Sequence, residues 1–77
     1  MIRIILYTTA GCHLCDLAEA LLLQAKQQCS LTITHTEIGD DDALVARYGT
    51  TIPVIEFADG SQINWPFELN DIIAKVN

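Results

Sequence analysis

Positive charge is what this chain has least of. Arg3, Lys26, Arg47 and Lys75 are its only lysines and arginines, and ten carboxylates oppose them for a formal net charge of −6. Nucleic-acid backbones are bound by clustered Lys and Arg, so that class of function is excluded, and an anionic membrane surface is excluded on the same ground. An acidic shell favours solubility and biases partner choice toward basic surfaces. Long apolar runs are missing as well. "LAEALLL" is too short to span a bilayer and is interrupted by Glu19. The opening "MIRIILYTT" carries one basic residue and too short an apolar run for a secretory signal. A cytoplasmic location is therefore expected. Internal repeats, linkers and low-complexity tracts are absent too, and 77 residues leave room for one core, which predicts a single domain over 1–77. At 51% hydrophobic, the chain can bury a modest core without metal or disulfide help. In a reducing compartment, three cysteines are then poor material for a structural disulfide framework.

What is present alternates between two periodicities. Ile2 to Tyr7 is nearly all apolar, as a strand in the middle of a sheet must be. "TTAG" breaks it. From Leu14, the apolar residues Leu17, Ala18, Leu21, Leu22 and Ala25 follow at helical offsets and form one stripe. Leu31 to about Glu37 alternates like a half-exposed strand. "IGDDDALVARYG" predicts a turn and a short helix, with an Asp cap, acids in the first turn and Gly49 at the C′ position. Val54 to Phe57 is a third strand, Asp59-Gly60 a hairpin signal, and Gln62 to Asn64 a short fourth strand. Pro66 is placed to open a last helix, striped by Leu69, Ile72, Ile73 and Val76. The order β-α-β-α-β-β-α, with a right-handed crossover and a terminal hairpin, predicts an α/β fold. Its sheet is four-stranded and mixed, flanked by helices.

The chemistry concentrates at "GCHLCD". Cys12 and Cys15 stand where the first strand stops and the first helix begins, with Cys12 at the exposed first helical position. Residues three apart on a helix face the same way, at Cα separations that a disulfide can bridge. Unpaired N–H groups and the positive dipole end favour a thiolate at Cys12, while Cys15, turned back into the helix, stays a more buried thiol. That asymmetry assigns Cys12 the attack on a disulfide and Cys15 the resolution of the mixed disulfide. His13, between them, adds positive charge beside the thiolate when protonated, or is simply a solvent-exposed residue. Asp16 suits the helix N-terminus. A zinc site is the competing use: Cys12, Cys15, Cys29 and His35 have the spacing C-x2-C-x13-C-x5-H. The predicted helix would carry Cys29 roughly 20 Å from Cys15, so those ligands converge only if it does not form. On this reading Cys29 ends a helix and His35 lies on a strand near the core edge, and neither metal nor organic cofactor is built in.

The second signal is "TTIPV". Pro53 at a strand start is tolerated because it need not donate to the ladder. Together with C-H-L-C, and with "WPF" before the last helix, the chain resembles the thioredoxin superfamily. It is most similar to a small bacterial glutaredoxin-like family, and the resemblance covers almost the whole length. It implies a cis peptide before Pro53 and places Thr51, Ile52 and Pro53 against Cys12. It further implies that the Ile52 N–H and C=O pair with an extended substrate. Glutathione-using relatives carry a basic residue shortly before the first cysteine and a Gly-Gly pair followed by acids at the last helix. Here Thr9 and Ala10 occupy the first place and Asn64-Trp65 the second, with Glu68 and Asp71 following. Trp65 is a substrate-contact candidate, although anchoring the helix on the core is its simpler role. Tyr7 and Phe67 fit the core.

A thiol–disulfide oxidoreductase working as a monomer is the expected function. Its substrate would be a disulfide-bearing protein or small thiol, with glutathione or a reductase as donor, and glutathione disfavoured. A non-catalytic binding module on the same fold is the alternative.

Overall fold

A computed structural model describes residues 2–76. β1 (Ile2–Thr8), α1 (His13–Gln28), β2 (Leu31–Glu37), α2 (Asp42–Tyr48), β3 (Val54–Phe57), β4 (Gln62–Asn64) and α3 (Leu69–Val76) follow in the expected order. The sheet order is β2-β1-β3-β4. β1 runs parallel to β2 and antiparallel to β3, and β3 and β4 form the antiparallel hairpin. The apolar run of β1 is explained by its interior place, where both faces must be covered. Ile4 and Leu6 face the larger core with Ala18, Leu22 and Ala25 of α1, Ile55 and Phe57 of β3, and Ile72 and Val76 of α3. On the opposite face Tyr7 packs with Val54, Ile38 and Tyr48, beneath Leu44 of α2. The sheet is thus sandwiched, as in the thioredoxin-like fold, with α1 and α3 on one side and α2 on the other.

Four local expectations are corrected by the structure. The buried row of α1 is Cys15, Ala18, Leu22 and Ala25, with Leu21 partly buried against the core. Leu14 and Leu17 are both 42% exposed. The apolar stripe read from the sequence is therefore rotated, because the helix seats its small residues Ala18 and Ala25 on the sheet and turns Cys15 inward. Cys12 is the N-cap of α1 rather than its first helical residue.

α3 begins at Leu69, three residues beyond Pro66. The Trp65–Pro66 peptide is cis, and the helix start is set instead by Asp71, whose carboxylate accepts the Glu68 N–H at 2.7 Å. That is the reach-back half of a capping box, from N3 to the N-cap backbone. Across the β3–β4 loop, Gly60 N–H donates to the Phe57 carbonyl and Phe57 N–H to the Ser61 carbonyl, each at 2.9 Å. With Gly60 at φ +88°, the hairpin closes on a three-residue loop ending in a left-handed glycine.

The fourth correction concerns α2. Its start is as read: the Asp41 carboxylate accepts the N–H groups of Ala43 and Leu44 at 2.9 and 3.2 Å. Gly49, however, is right-handed, with φ −56° and ψ −27°, so no left-handed C′ glycine ends this helix. The need for glycine is steric: a Cβ there would lie 2.5 Å from the Val45 carbonyl oxygen. Gly49→Ala must displace backbone, and we expect it to cost about 1–3 kcal/mol, the usual range for overpacking. Thermal unfolding followed by circular dichroism checks this, and a melting temperature equal to that of the wild type would refute the steric account.

Candidate active site

The chain leaves β1 through a tight turn. Cys12 N–H donates to the Thr9 carbonyl at 3.3 Å, and Gly11, third in that turn, has φ +79°. This is the dihedral that favours glycine at the third position of a type II turn. A Cβ on Gly11 would meet nothing, so the backbone conformation, not crowding, calls for glycine. The turn delivers Cys12 to the N-cap of α1, where its Sγ accepts the Cys15 N–H at 3.1 Å. The two cysteines form a disulfide, with Cα atoms 5.2 Å apart. Cys15 is 3% exposed, whereas Cys12 is only partly covered. The sulfurs therefore differ as the helix register requires: one at the helix tip, accepting an N–H of the first turn, and one enclosed a turn behind. His13 is the exposed first residue of α1, and Asp16 lies in its first turn.

The Thr51–Pro53 segment reaches the same end of the sheet. Tyr7 pairs with Val54, so the residues just before β3 stand beside the end of β1, from which the cysteine turn departs. The Ile52–Pro53 peptide is cis, and Pro53 is fully buried. The Tyr48 carbonyl accepts the Thr51 and Ile52 N–H groups at 2.9 and 3.0 Å, and also the Thr51 hydroxyl at 3.3 Å. This corrects one expectation: the Ile52 N–H is committed inside the chain and is not free for a substrate strand. Trp65 is bound to the same segment through its backbone, donating its N–H to the Pro53 carbonyl at 3.0 Å. Its half-buried ring stands edge-on to Phe67, with centroids 5.1 Å apart. Trp65 thus packs on the core, and its link to the site is by main chain.

Thr51 also lines an open cleft of about 260 Å³, with Arg47, Tyr48, Gln62 and Asn64. Tyr48 is fixed there by stacking on Tyr7, with centroids 4.3 Å apart, and its hydroxyl accepts from Gln62 Nε2 at 2.8 Å. Tyr7 is half-buried in this smaller cluster rather than in the main core. Burial raises its phenol above the ordinary value, and the nearby Glu56 carboxylate adds to the rise.

Sequence reading missed Glu37, the last residue of β2. Its carboxylate accepts the Ala10 N–H at 3.0 Å through Oε1 and the Gly39 N–H at 2.7 Å through Oε2. The Thr9 hydroxyl is a third donor. In the sequence Glu37 merely ends an alternating strand; only the parallel register, which pairs it with Thr8, sets it beside the cysteine turn. Cys29 and His35 lie away from the pair. Cys29 is a free thiol at the far C-cap of α1, and His35 pairs with Glu19 at 2.9 Å on the surface. No three Cys, His, Asp or Glu side chains are gathered with metal-binding geometry among the described residues. Nor, among them, is any helix long and apolar enough to cross a membrane.

Comparison with known proteins agrees with this fold. The family model described as Glutaredoxin-like domain (DUF836) matches residues 3–77. The crystal structure of XcR50 from X. campestris is similar at a TM-score of 0.83 and 35% identity, over 92% of this chain and 91% of that one. Ne2328 from Nitrosomonas europaea, solved by NMR, gives a TM-score of 0.85 at 19% identity, over 99% and 92%. A mutant thioredoxin from Halobacterium salinarum NRC-1 gives 0.75 at 16% identity, over 97% and 71%. At those identities the last two speak for the fold. No curated protein sequence matches significantly.

The pH response of the Glu37 clamp has a definite sign. Hydrogen bonds from Thr9, then Gly39 and Ala10, hold its carboxyl below the ordinary glutamate value. A folded value lower than the unfolded one means that the contacts are intact above the ordinary value and are lost as pH falls through the lower, folded one. We expect the Ala10 and Gly39 amide resonances to titrate together in NMR spectra, with a shared midpoint below that of an unstructured glutamate. Separate midpoints, or one at the ordinary value, would contradict the shared clamp.

Proposed function

The chain belongs to the glutaredoxin-like domain (DUF836) family, and from its site we propose that it is a thiol–disulfide oxidoreductase, with Cys12 as nucleophile and Cys15 as resolving thiol. One observation carries the proposal: a partly exposed sulfur caps a helix and accepts the N–H of Cys15, whose own sulfur is enclosed one turn behind. In the reduced protein the same N–H and the helix dipole favour a Cys12 thiolate, the species that attacks disulfides. The thiolate forms a bond to one sulfur of the substrate disulfide. The other sulfur leaves as a thiolate and takes a proton from solvent. Cys15 then gives up its proton and attacks Cys12 Sγ, breaking the mixed disulfide and releasing the second substrate thiol. Two electrons pass to the substrate, and the protein is left as the Cys12–Cys15 disulfide seen here. An external thiol or a reductase restores the dithiol.

The substrates proposed are disulfide-bearing proteins in the cytoplasm, met as a monomer. On this proposal the exposed Thr51 and the buried Pro53, at the end of the sheet from which the cysteine turn departs, form the wall that a substrate meets. Because the Ile52 N–H is occupied, strand-like docking at that residue is left to its carbonyl. Glutathione is disfavoured as donor: the loop before Cys12 offers Thr9 and Ala10 where a cation would hold the tripeptide, and the Glu37 carboxylate, from the end of β2, is bound to that same loop. The net charge of −6 repels an anion further.

Reduction of a protein disulfide such as those of insulin should fall to the uncatalysed background in Cys12→Ser. Cys15→Ser should instead accumulate a mixed disulfide on Cys12, visible by mass spectrometry. The pair should titrate reversibly as a two-electron couple within the range of cellular dithiols, roughly −180 to −300 mV. Wild-type activity in Cys12→Ser, or no reversible couple, would leave a binding module as the better reading.

A further inference from the structure

We propose that Glu37 is a positioning residue for Cys12: its carboxylate braces the Thr9–Cys12 turn from the end of the neighbouring strand and so holds the reactive sulfur at the tip of α1. The role rests on the function proposed above for its meaning, but its test does not require turnover.

The geometry is a short chain of contacts. One carboxylate oxygen takes the Ala10 N–H, which belongs to the second residue of a turn whose own closing bond runs from Cys12 N–H to the Thr9 carbonyl. The turn cannot satisfy that N–H internally, so an outside acceptor is needed. The Thr9 hydroxyl meets the same carboxylate, so two of the turn's four residues are tied to one side chain. The other oxygen takes the Gly39 N–H, anchoring the carboxylate to the segment that leaves β2. That segment is itself pinned to β1, because Ile38 N–H donates to the Thr8 carbonyl at 2.9 Å. Both ends of the clamp are therefore fixed to the sheet, and the cysteine turn is held between them.

The space around the clamp is as specific as its hydrogen bonds. A Cβ on Gly39 would lie 3.0 Å from Glu37 Oε2 and 3.2 Å from Thr9 Oγ1. Gly39 is not at a positive φ, so the room it leaves for the carboxylate is the feature a methyl group would remove. Gly39→Ala therefore offers a second way to push the clamp aside, one that leaves the charge of Glu37 in place.

That separates positioning from electrostatics. A carboxylate near a thiolate opposes ionisation by repulsion, whereas a brace that keeps the sulfur at the helix tip favours it. The two roles predict opposite shifts. The experiment measures the rate at which reduced Cys12 in the full chain is alkylated by iodoacetamide as a function of pH, with peptide mass spectrometry isolating Cys12 from Cys15 and Cys29. His13 and Asp16, the titratable neighbours on α1, are unchanged in every variant.

If Glu37 positions the sulfur, Glu37→Ala and Gly39→Ala should both slow labelling near neutral pH by about tenfold. Small misplacements of a reacting group have costs of that order or more. Both should move the labelling midpoint to higher pH, and the double variant should be no slower than Glu37→Ala alone, because the two act through one contact. Gly49→Ala, a destabilising change outside this turn, should label at the wild-type rate. A Glu37→Ala that labels as fast as wild type overturns the proposal. So does a midpoint that moves lower while Gly39→Ala is unchanged, which would mean that only the charge acts. Equal slowing in Gly49→Ala would also overturn it by showing general loosening. Should Glu37→Ala fail to fold, Gly39→Ala and Thr9→Val, which remove the fit and one donor, carry the same comparison. Labelling that responds to Glu37 in a protein without disulfide-reductase activity would refute the proposed function and leave the positioning role standing.

Discussion

The structure depends on a helix start that has to be made within four residues of a strand end. β1 ends at Thr8 and α1 begins at His13, so the chain must turn while its backbone groups lose the sheet ladder and have not yet entered the helix. Each of those groups needs a partner. Gly11 provides the dihedral, the Thr9 carbonyl closes the turn, and Cys12 Sγ accepts an N–H inside the new helix. Satisfying a helix terminus with sulfur puts a reactive atom where a serine or aspartate would serve stability alone. The local folding requirement and the proposed chemistry are met by the same atom.

The rest of the molecule arranges itself around that point. Small residues on α1 let the helix lie on the sheet with Cys15 turned inward, which encloses the second sulfur and leaves Leu14 and Leu17 outside. The β1–β3 register brings Pro53 to the end of the sheet from which the cysteine turn departs, and the Tyr48 carbonyl gathers the donors of Thr51 and Ile52, so that segment is set by its own hydrogen bonds. Trp65, tied to the Pro53 carbonyl, joins the segment that leads into the last helix to this end. The acidic surface, with four cations against ten carboxylates, stays outside these contacts, except where Glu37 is drawn into the turn.

Much of this is legible in the residues. The Asp41 cap, the hairpin at Asp59-Gly60 and the apolar first strand follow from local rules, and the spacing of Cys12 and Cys15 at a strand-to-helix junction gives their asymmetry. The misreadings share a cause. Residue type alone gives the stripe of α1, but which side of a helix is buried depends on what it packs against. Pro66 suits a first helical turn, yet α3 starts where Asp71 reaches back to the Glu68 N–H. Gly49 fits the pattern of a left-handed cap, and its reason for being glycine lies in the distance to the Val45 carbonyl.

The order of elements and the pair of sulfurs can be had from the residues without coordinates, because they rest on periodicity and on contacts within a few positions. Folding in three dimensions was needed to settle that the Ile52 N–H is already taken, that Trp65 is held by Pro53, and that Glu37 grips a turn 27 residues before it in the chain. The cause is strand pairing. A parallel register places residues remote in sequence side by side, and no local pattern encodes which acceptor a distant N–H will find.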